Sequence, residues 1–231
     1  MALETVFLDA GGVLIHPNWW RISAVLAEHG VRVSPEALMK ADPLARREID
    51  DGHFVGTTTD ASRGWLFFDL MLARAGIARS EATGAALVEL HRYHSASNLW
   101  EYIPDAVIPA LERLRGRGLR LVVVSNANGT LRAHMDRLDL TRRFDCVLDS
   151  ADEGVEKPDP RFFEIALARS GARKENTIHV GDLYHVDVVG ARQAGLRGVL
   201  LDEADLRPDA DCPRVRTLDE LVSRIAAGEF D

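Results

Sequence analysis

The run TVFLDA near the N-terminus constrains this chain more than any other segment. Its apolar residues do not alternate with polar ones, and the run stops at Asp9 with Gly11 and Gly12 directly behind. An unalternated apolar run is what a strand buried on both faces needs, and the glycines permit a tight loop at its end. Comparable runs come much later: LRLVVVSN (119–126), NTIHVGD (176–182) and RGVLLD (197–202), with a shorter one at CVLD (146–149). Helical periodicity lies between and after them, at 104–117, 128–138, 160–171, 186–195 and 217–227. Strand alternating with helix implies right-handed crossovers, and so an α/β fold with a mostly parallel, doubly wound sheet.

One stretch breaks the alternation. From about 17 to 99 the segments NWWRISAVLAEHG, PEALMKADPLARREI, ASRGWLFFDLMLARAG and SEATGAALVELHRYHSAS all carry helical periodicity, and none reads as a strand. The expected organisation is a core built from 1–16 and 100–231, with 17–99 as an inserted helical subdomain. Glu101-Tyr102-Ile103 and Pro104 mark the return to the core. The 231 residues, 46% of them hydrophobic, suffice for one such core and a smaller insertion.

Composition narrows the function classes. A net charge of −8 argues against a nucleic-acid binder, which needs a concentrated basic surface. Arg113, Arg115, Arg117 and Arg120 do cluster, but ALERLRGRGLR reads as the solvated end of a helix running into a strand. No apolar stretch reaches the roughly 18 residues of a membrane helix. MALETVFLDAGG lacks the basic flank and cleavage site of a signal peptide, so a cytoplasmic location is expected. Cys146 and Cys212 are far apart and read as structural thiols. His91 and His94 share a helix face, but no carboxylate at matching spacing joins them as a metal site.

In an open parallel sheet, ligands gather outside the carboxyl ends of the strands. Four places there carry chemistry: Asp9 ends the first strand, Ser125-Asn126 the second, Lys157 follows in GVEKPDP, and Gly181-Asp182 ends another strand with Asp187 five residues on. Singly, each has a structural explanation as a cap, a turn or a solvated charge. Together they place an acid, a hydroxyl, an ammonium and two further acids at one sheet edge.

The four motifs VFLDAGGVL, VVVSN, EKPDP and VGDLYHVD resemble those of the haloacid dehalogenase-like (HAD) hydrolase superfamily, and the helical insertion resembles the family's C1-type cap, as in its subfamily I. The resemblance implies a Rossmann-like core with an inserted α-helical cap, and a Mg²⁺-dependent hydrolase of small phosphorylated metabolites, working as a monomer or homodimer without a nucleic-acid or membrane partner. Asp9 is then the nucleophile that forms an aspartyl-phosphate. Magnesium prefers octahedral oxygen ligation with few carboxylates, which Asp9, Asp182, a carbonyl at Gly11 and waters could supply. Ser125 and the backbone amide of Asn126 would hold phosphoryl oxygens, and Lys157 would place a fixed positive charge beside Asp9 and the phosphate. Asp187 would either reach the metal through water or orient Lys157. Its structural reading is an acid favoured by the dipole of the helix it begins.

The sequence departs from this pattern at one position. Most phosphatases of the family carry a second Asp two residues after the nucleophile, as general acid and base, where this chain has Gly11. Such a group is typically worth about 10²–10⁴ in rate. Three accounts stand open. A phosphatase could use substrates with good leaving groups, or borrow an acid from His16, Tyr184 or His185. A metal-independent 2-haloacid dehalogenase would also lack that Asp, but would call for Tyr in place of Gly11 and a neutral residue in place of Asp182. A non-catalytic phosphate- or metal-binding module is the third account. In the insertion, Arg21 could meet a second anionic group of the substrate and Trp20 could stack on a ring; alternatively Trp19 and Trp20 anchor the insertion's own core.

Overall fold

The computed structural model of the protein describes residues 2–52 and 60–231. In chain order the strands are β1 (Thr5–Leu8), β2 (His16–Pro17), β3 (Trp100–Tyr102), β4 (Arg120–Ser125), β5 (Cys146–Asp149), β6 (Thr177–Gly181), β7 (Arg197–Leu201) and β8 (Arg214–Val215). Helices α1 (Trp19–Glu28), α2 (Pro35–Asp51), α3 (Asp60–Arg74) and α4 (Glu81–Ser97) lie between β2 and β3. Then follow α5 (Val107–Gly116), α6 (Leu131–Arg137), α7 (Ser150–Glu153), α8 (Pro160–Ser170), α9 (Gly190–Gln193) and α10 (Leu218–Ala226). Two compact units result: Met1–Leu14 with Ile103–Asp231, and Ile15–Tyr102.

In the first unit six strands run in the order β5-β4-β1-β6-β7-β8, and every pairing is parallel. The apolar runs become β1 and the interior of β4, buried on both faces as their lack of alternation requires. Phe7, Val122, Val124 and Leu148 pack with Phe162, Phe163 and Ala166 of α8. The α/β, doubly wound, parallel expectation is met. β8, only two residues long, carries too little pattern to be read from sequence.

The order of the strands locates the site. From β1 the chain moves outward to β4 and β5, then returns to place β6 on the other side of β1. The strand order reverses at β1, and the crevice outside its carboxyl end is where open α/β sheets bind ligands. Register puts Leu8 level with Val123 of β4 and Val180 of β6, and the Asp9 N–H donates to the Val180 carbonyl at 2.9 Å. Asp9, Ser125 and Gly181 therefore finish three adjacent strands.

Where a helix over 186–195 was expected, winding begins at Tyr184 in a wide π-type turn through Val189, and α9 covers only Gly190–Gln193. The physical reason lies in the strand beneath. A Cβ on Gly181 would fall inside the Asp187 carboxylate, so the missing side chain lets this turn press Asp187 inward against β6.

The second unit has its own core, in which Trp19, Ile22, Leu26, Leu38, Phe68 and Leu90 come together from four helices. Asn18 caps α1 by accepting the Arg21 N–H, Ser34 caps α2 ahead of Pro35, and Ser80 with Thr83 forms a capping box on α4. No strand was expected here, yet β2 and β3 pair antiparallel, His16 opposite Tyr102. Strands of two and three residues are too short to show a period of two. Among the described residues no helix is long and apolar enough to cross a membrane.

His16 of β2 is buried, with its ring 5.4 Å from that of Trp19. Burial, reinforced by the charge of Arg46, pushes its pKa down to about 3 from 6.5. Between these values the unfolded chain binds a proton that the folded unit refuses, so stability falls as pH drops below about 6.5. All four tryptophans, Trp19, Trp20, Trp65 and Trp100, belong to this unit, so their fluorescence follows its unfolding. In urea titrations, moving from pH 7 to pH 5 should cost the wild type about 2 kcal/mol more than it costs His16→Asn. Equal losses in both proteins would show that His16 accepts a proton freely in the fold.

Candidate active site

Lys157 is the most unusual side chain in the first unit: an ammonium at 1% exposure. A buried cation is tolerated only when paired, and its Nζ lies 2.7 Å from Asp187 Oδ1 and 2.9 Å from Asp9 Oδ1. Burial alone would lower the Lys157 pKa, but the charges of Asp187 and Asp9 overcome it and hold the pKa above the ordinary lysine value. For Asp187, burial would favour the neutral acid, and the Lys157 charge outweighs it, keeping the carboxyl well below the usual range. Asp9 Oδ1 is buried, and among the described residues Lys157 is the one protein donor within reach of it.

Asp187 is held from several sides. Its Oδ1 accepts from Lys157 Nζ and also meets His179 Nε2 at 2.9 Å, while Oδ2 accepts the Leu183 N–H at 3.0 Å. His179 lies in β6, fully buried, with the Phe163 ring edge-on at 5.0 Å. Burial keeps its pKa below the ordinary histidine value.

The backbone of Lys157 is clamped by a side chain. Asn126 Nδ2 donates to the Lys157 carbonyl at 2.9 Å, and the Lys157 N–H donates to Asn126 Oδ1 at 2.8 Å. Directly afterwards Asp159 caps α8, with Pro160 at its first position. Ser125 is buried at the end of β4, opposite Asp149 in register. Asp149 accepts from the Gly129 and Leu131 N–H groups, and Ser150 Oγ bonds both the N–H and carbonyl of Ala127. These bonds fix the loop that leaves Ser125. On the other side, Gly12 adopts φ 75° in the turn after Asp9, a conformation that favours glycine, while Gly11 stays outside the left-handed region.

Asp9, Asp182 and Asp187 each present a carboxylate oxygen, all within 4.8 Å of one another. Three carboxylates against one ammonium leave two formal negative charges. Oxygen donors with that residual charge suit a hard divalent cation.

Asp9, Ser125, Asn126, Lys157, Asp182 and Asp187 thus share one strand-end region with Gly11. His16, Trp20 and Arg21 belong to the other unit. There Trp20 is 46% exposed and packs its ring 5.0 Å from Tyr102. Arg21 Nε donates to Glu101 Oε1 at 2.9 Å, and its guanidinium lies 3.9 Å over the Tyr93 ring. Asn18 and Tyr93 also donate to Glu101. Tyr184 gives its hydroxyl proton to Asp211 Oδ1 at 2.5 Å, and that bond raises its pKa.

Sequence reasoning missed His179, Asp149, Ser150 and the side-chain role of Asn126. A histidine inside the otherwise apolar end of NTIHVGD, two residues before Gly181, was the available signal for the first. The clamps by Asn126, Asp149 and Ser150 join residues 18 to 31 positions apart and left no local pattern.

The family model for haloacid dehalogenase-like hydrolases matches residues 3–195. Haloacid dehalogenase-like hydrolase domain-containing protein 3 of Homo sapiens is 32% identical over 211 residues, covering 88% of this chain and 80% of that protein. Ribulose-1,5-bisphosphate 5-phosphatase of Halopiger xanaduensis is 37% identical over 190 residues, covering 80% of this chain and 77% of its own. Among solved structures, the HAD-hydrolase YfnB of Bacillus subtilis superposes with a TM-score of 0.68 at 18% identity, over 97% of this chain and 99% of that one. With its four motifs gathered at the switch point of a parallel sheet, the chain belongs to the haloacid dehalogenase-like hydrolases.

Proposed function

We propose that this hydrolase cleaves small-molecule phosphate monoesters through an aspartyl-phosphate on Asp9, with Mg²⁺ held by Asp9, Asp182 and the carbonyl at Gly11. The observation that carries the reading is the buried Lys157 ammonium shared between Asp9 and Asp187, next to a third carboxylate, Asp182. The phosphatases among the similar proteins support it. The dehalogenase alternative fits poorly with the retained Asp182 and with Gly11 in place of Tyr.

In this reading an Asp9 carboxylate oxygen attacks phosphorus as the ester P–O bond breaks. Water then attacks the same phosphorus, the bond to Asp9 breaks, and phosphate leaves with the carboxylate restored. Lys157 faces both the nucleophile and the transferred group, and Ser125 offers its hydroxyl to a phosphoryl oxygen. The Asn126 side chain is committed to Lys157, which leaves its main-chain N–H as the second donor. When bound, magnesium supplies the charge that screens carboxylate from phosphate. Asp187, with both oxygens engaged by protein donors, acts by orienting Lys157. The helical unit Ile15–Tyr102 serves as the cap that selects substrates.

The leaving oxygen needs a proton that Gly11 does not provide. His16 is neutral at physiological pH and Tyr184 is bonded to Asp211, so neither serves as a ready acid. The preferred substrates are those whose leaving oxygen needs little protonation.

Turnover of p-nitrophenyl phosphate should require Mg²⁺, stop in excess chelator, return on adding Mg²⁺, and fall to background in Asp9→Asn. Undiminished turnover in chelator would overturn the metal assignment. Chloride release from a 2-haloacid without added metal would move the protein to the dehalogenase branch. Gly11→Asp should raise kcat/KM for alkyl phosphates more than for aryl ones, up to the roughly 10²–10⁴ that a positioned acid supplies. No gain in a folded variant would mean that another group already protonates the leaving oxygen.

A further inference from the structure

A histidine at 0% exposure in the middle of a sheet is costly unless its polar atoms are used. His179 makes one hydrogen bond, Nε2 to Asp187 Oδ1 at 2.9 Å, and its Nδ1 is buried with no partner. A carboxylate only accepts, so Nε2 carries the proton and Nδ1 is a buried lone pair without a donor. An apolar side chain of similar size would fill this place without that penalty. What the imidazole adds over such a side chain is its one donor.

That donor reaches an oxygen already shared. Asp187 Oδ1 also accepts Lys157 Nζ at 2.7 Å, and Lys157 Nζ lies 2.9 Å from Asp9 Oδ1. Lys157 is thus divided between two carboxylates. If Asp187 Oδ1 had Lys157 as its sole donor, its whole negative charge would draw the ammonium away from Asp9. A second donor on the same oxygen takes up part of that charge, and together with the Leu183 N–H on Oδ2 it fixes the plane of the carboxylate. Gly181 leaves room for the arrangement, because a Cβ there would overlap Asp187.

We infer that His179 is a positioning residue for the hydrolytic reaction, which by donating Nε2–H to Asp187 keeps the Lys157 ammonium available to Asp9 and to the transferred phosphoryl group. The inference rests on the reading of Asp9 as nucleophile. It concerns a residue that never touches substrate, so its signature is a fall in kcat with little change in KM.

Two variants separate the donor from the bulk. His179→Gln keeps an N–H near the position of Nε2; His179→Met fills the space without one. With p-nitrophenyl phosphate and saturating Mg²⁺, His179→Met should lose about 10–100-fold in kcat, the range typical of outer-sphere partners, while KM stays near wild type. His179→Gln should recover most of that loss at a comparable Tm. Equal kcat in wild type and His179→Met, or equal losses in Met and Gln variants of matched Tm, would overturn the inference. If His179→Met does not fold, His179→Leu takes its place as the variant without a donor: a kcat well below that of His179→Gln at matched Tm supports the donor role, and equal kcat in the two removes it. Crystal structures give a readout independent of turnover. Lys157 Nζ should sit farther from Asp9 when the donor is absent, and an unchanged separation overturns the inference. Should the wild type show no phosphatase activity, the proposed function falls by itself, and this distance still decides the role of His179.

Discussion

Lys157 places a full positive charge where almost no water reaches, between Asp9 on one side and Asp187 on the other. Such a group is stable only as part of the pair: removing one partner of a buried ion pair typically costs roughly 3–5 kcal/mol, because the remaining charge is left uncompensated. The segments that carry these residues are therefore tied to one another by energetics as well as by topology. β1 delivers Asp9, the Asn126 clamp sets the Lys157 backbone, and the wide turn after β6 brings Asp187 inward over Gly181. Each device answers the need to bury one cation with its counter-charges.

The sheet order makes this convergence possible. Because β1 lies between β4 and β6, the ends of three strands from distant parts of the chain meet with a register fixed by backbone hydrogen bonds. Rigid strands place Asp9, Ser125 and the approach to Asp182; the loops add only the residues that short backbone-to-side-chain bonds can fix. Asp149 and Ser150 show how the second task is done, satisfying the N–H groups of the loop after Ser125 that would otherwise need water.

Much of this was legible in the sequence, and the limits have physical causes. β1, β4 and β7 stand out because strands buried on both faces have to be continuously apolar, and β6 stands out by its position between helical stretches and its Gly181-Asp182 end. Asp9, Ser125, Lys157 and Asp182 stood out because chemistry at the end of such a strand needs polar residues where the apolar run stops. The Lys157–Asp187 contact, spanning 30 residues, was one of two roles left open for Asp187, since no local pattern encodes which partner a carboxylate turns toward. His179 was hidden by its setting: in NTIHVGD it reads as one polar position in a strand, and only burial and a single hydrogen bond give it meaning. β2 and β3 escaped because two or three residues cannot display a period. Arg21 pairs with Glu101 and stacks on Tyr93, an ion pair and a ring contact that sequence spacing does not reveal.

Under the proposed mechanism, the same geometry that protects Lys157 also prepares Asp9. A carboxylate oxygen surrounded by well-aligned donors has its lone pairs occupied and attacks poorly. Asp9 Oδ1 lies 2.9 Å from the Lys157 ammonium and meets no other protein donor among the described residues. Asp187 meets three donors, Lys157 and His179 on one oxygen and the Leu183 N–H on the other. The two carboxylates around one lysine are thereby differentiated: one is saturated with donors and holds the ammonium in place, the other keeps its lone pairs for phosphorus. Gly11 then bears on both halves of the reaction, since an acid at that position serves the leaving oxygen in the first and the incoming water in the second. Formation of the Asp9–phosphorus bond depends on the groups this chain retains; its dependence on leaving-group basicity follows from the one it lacks.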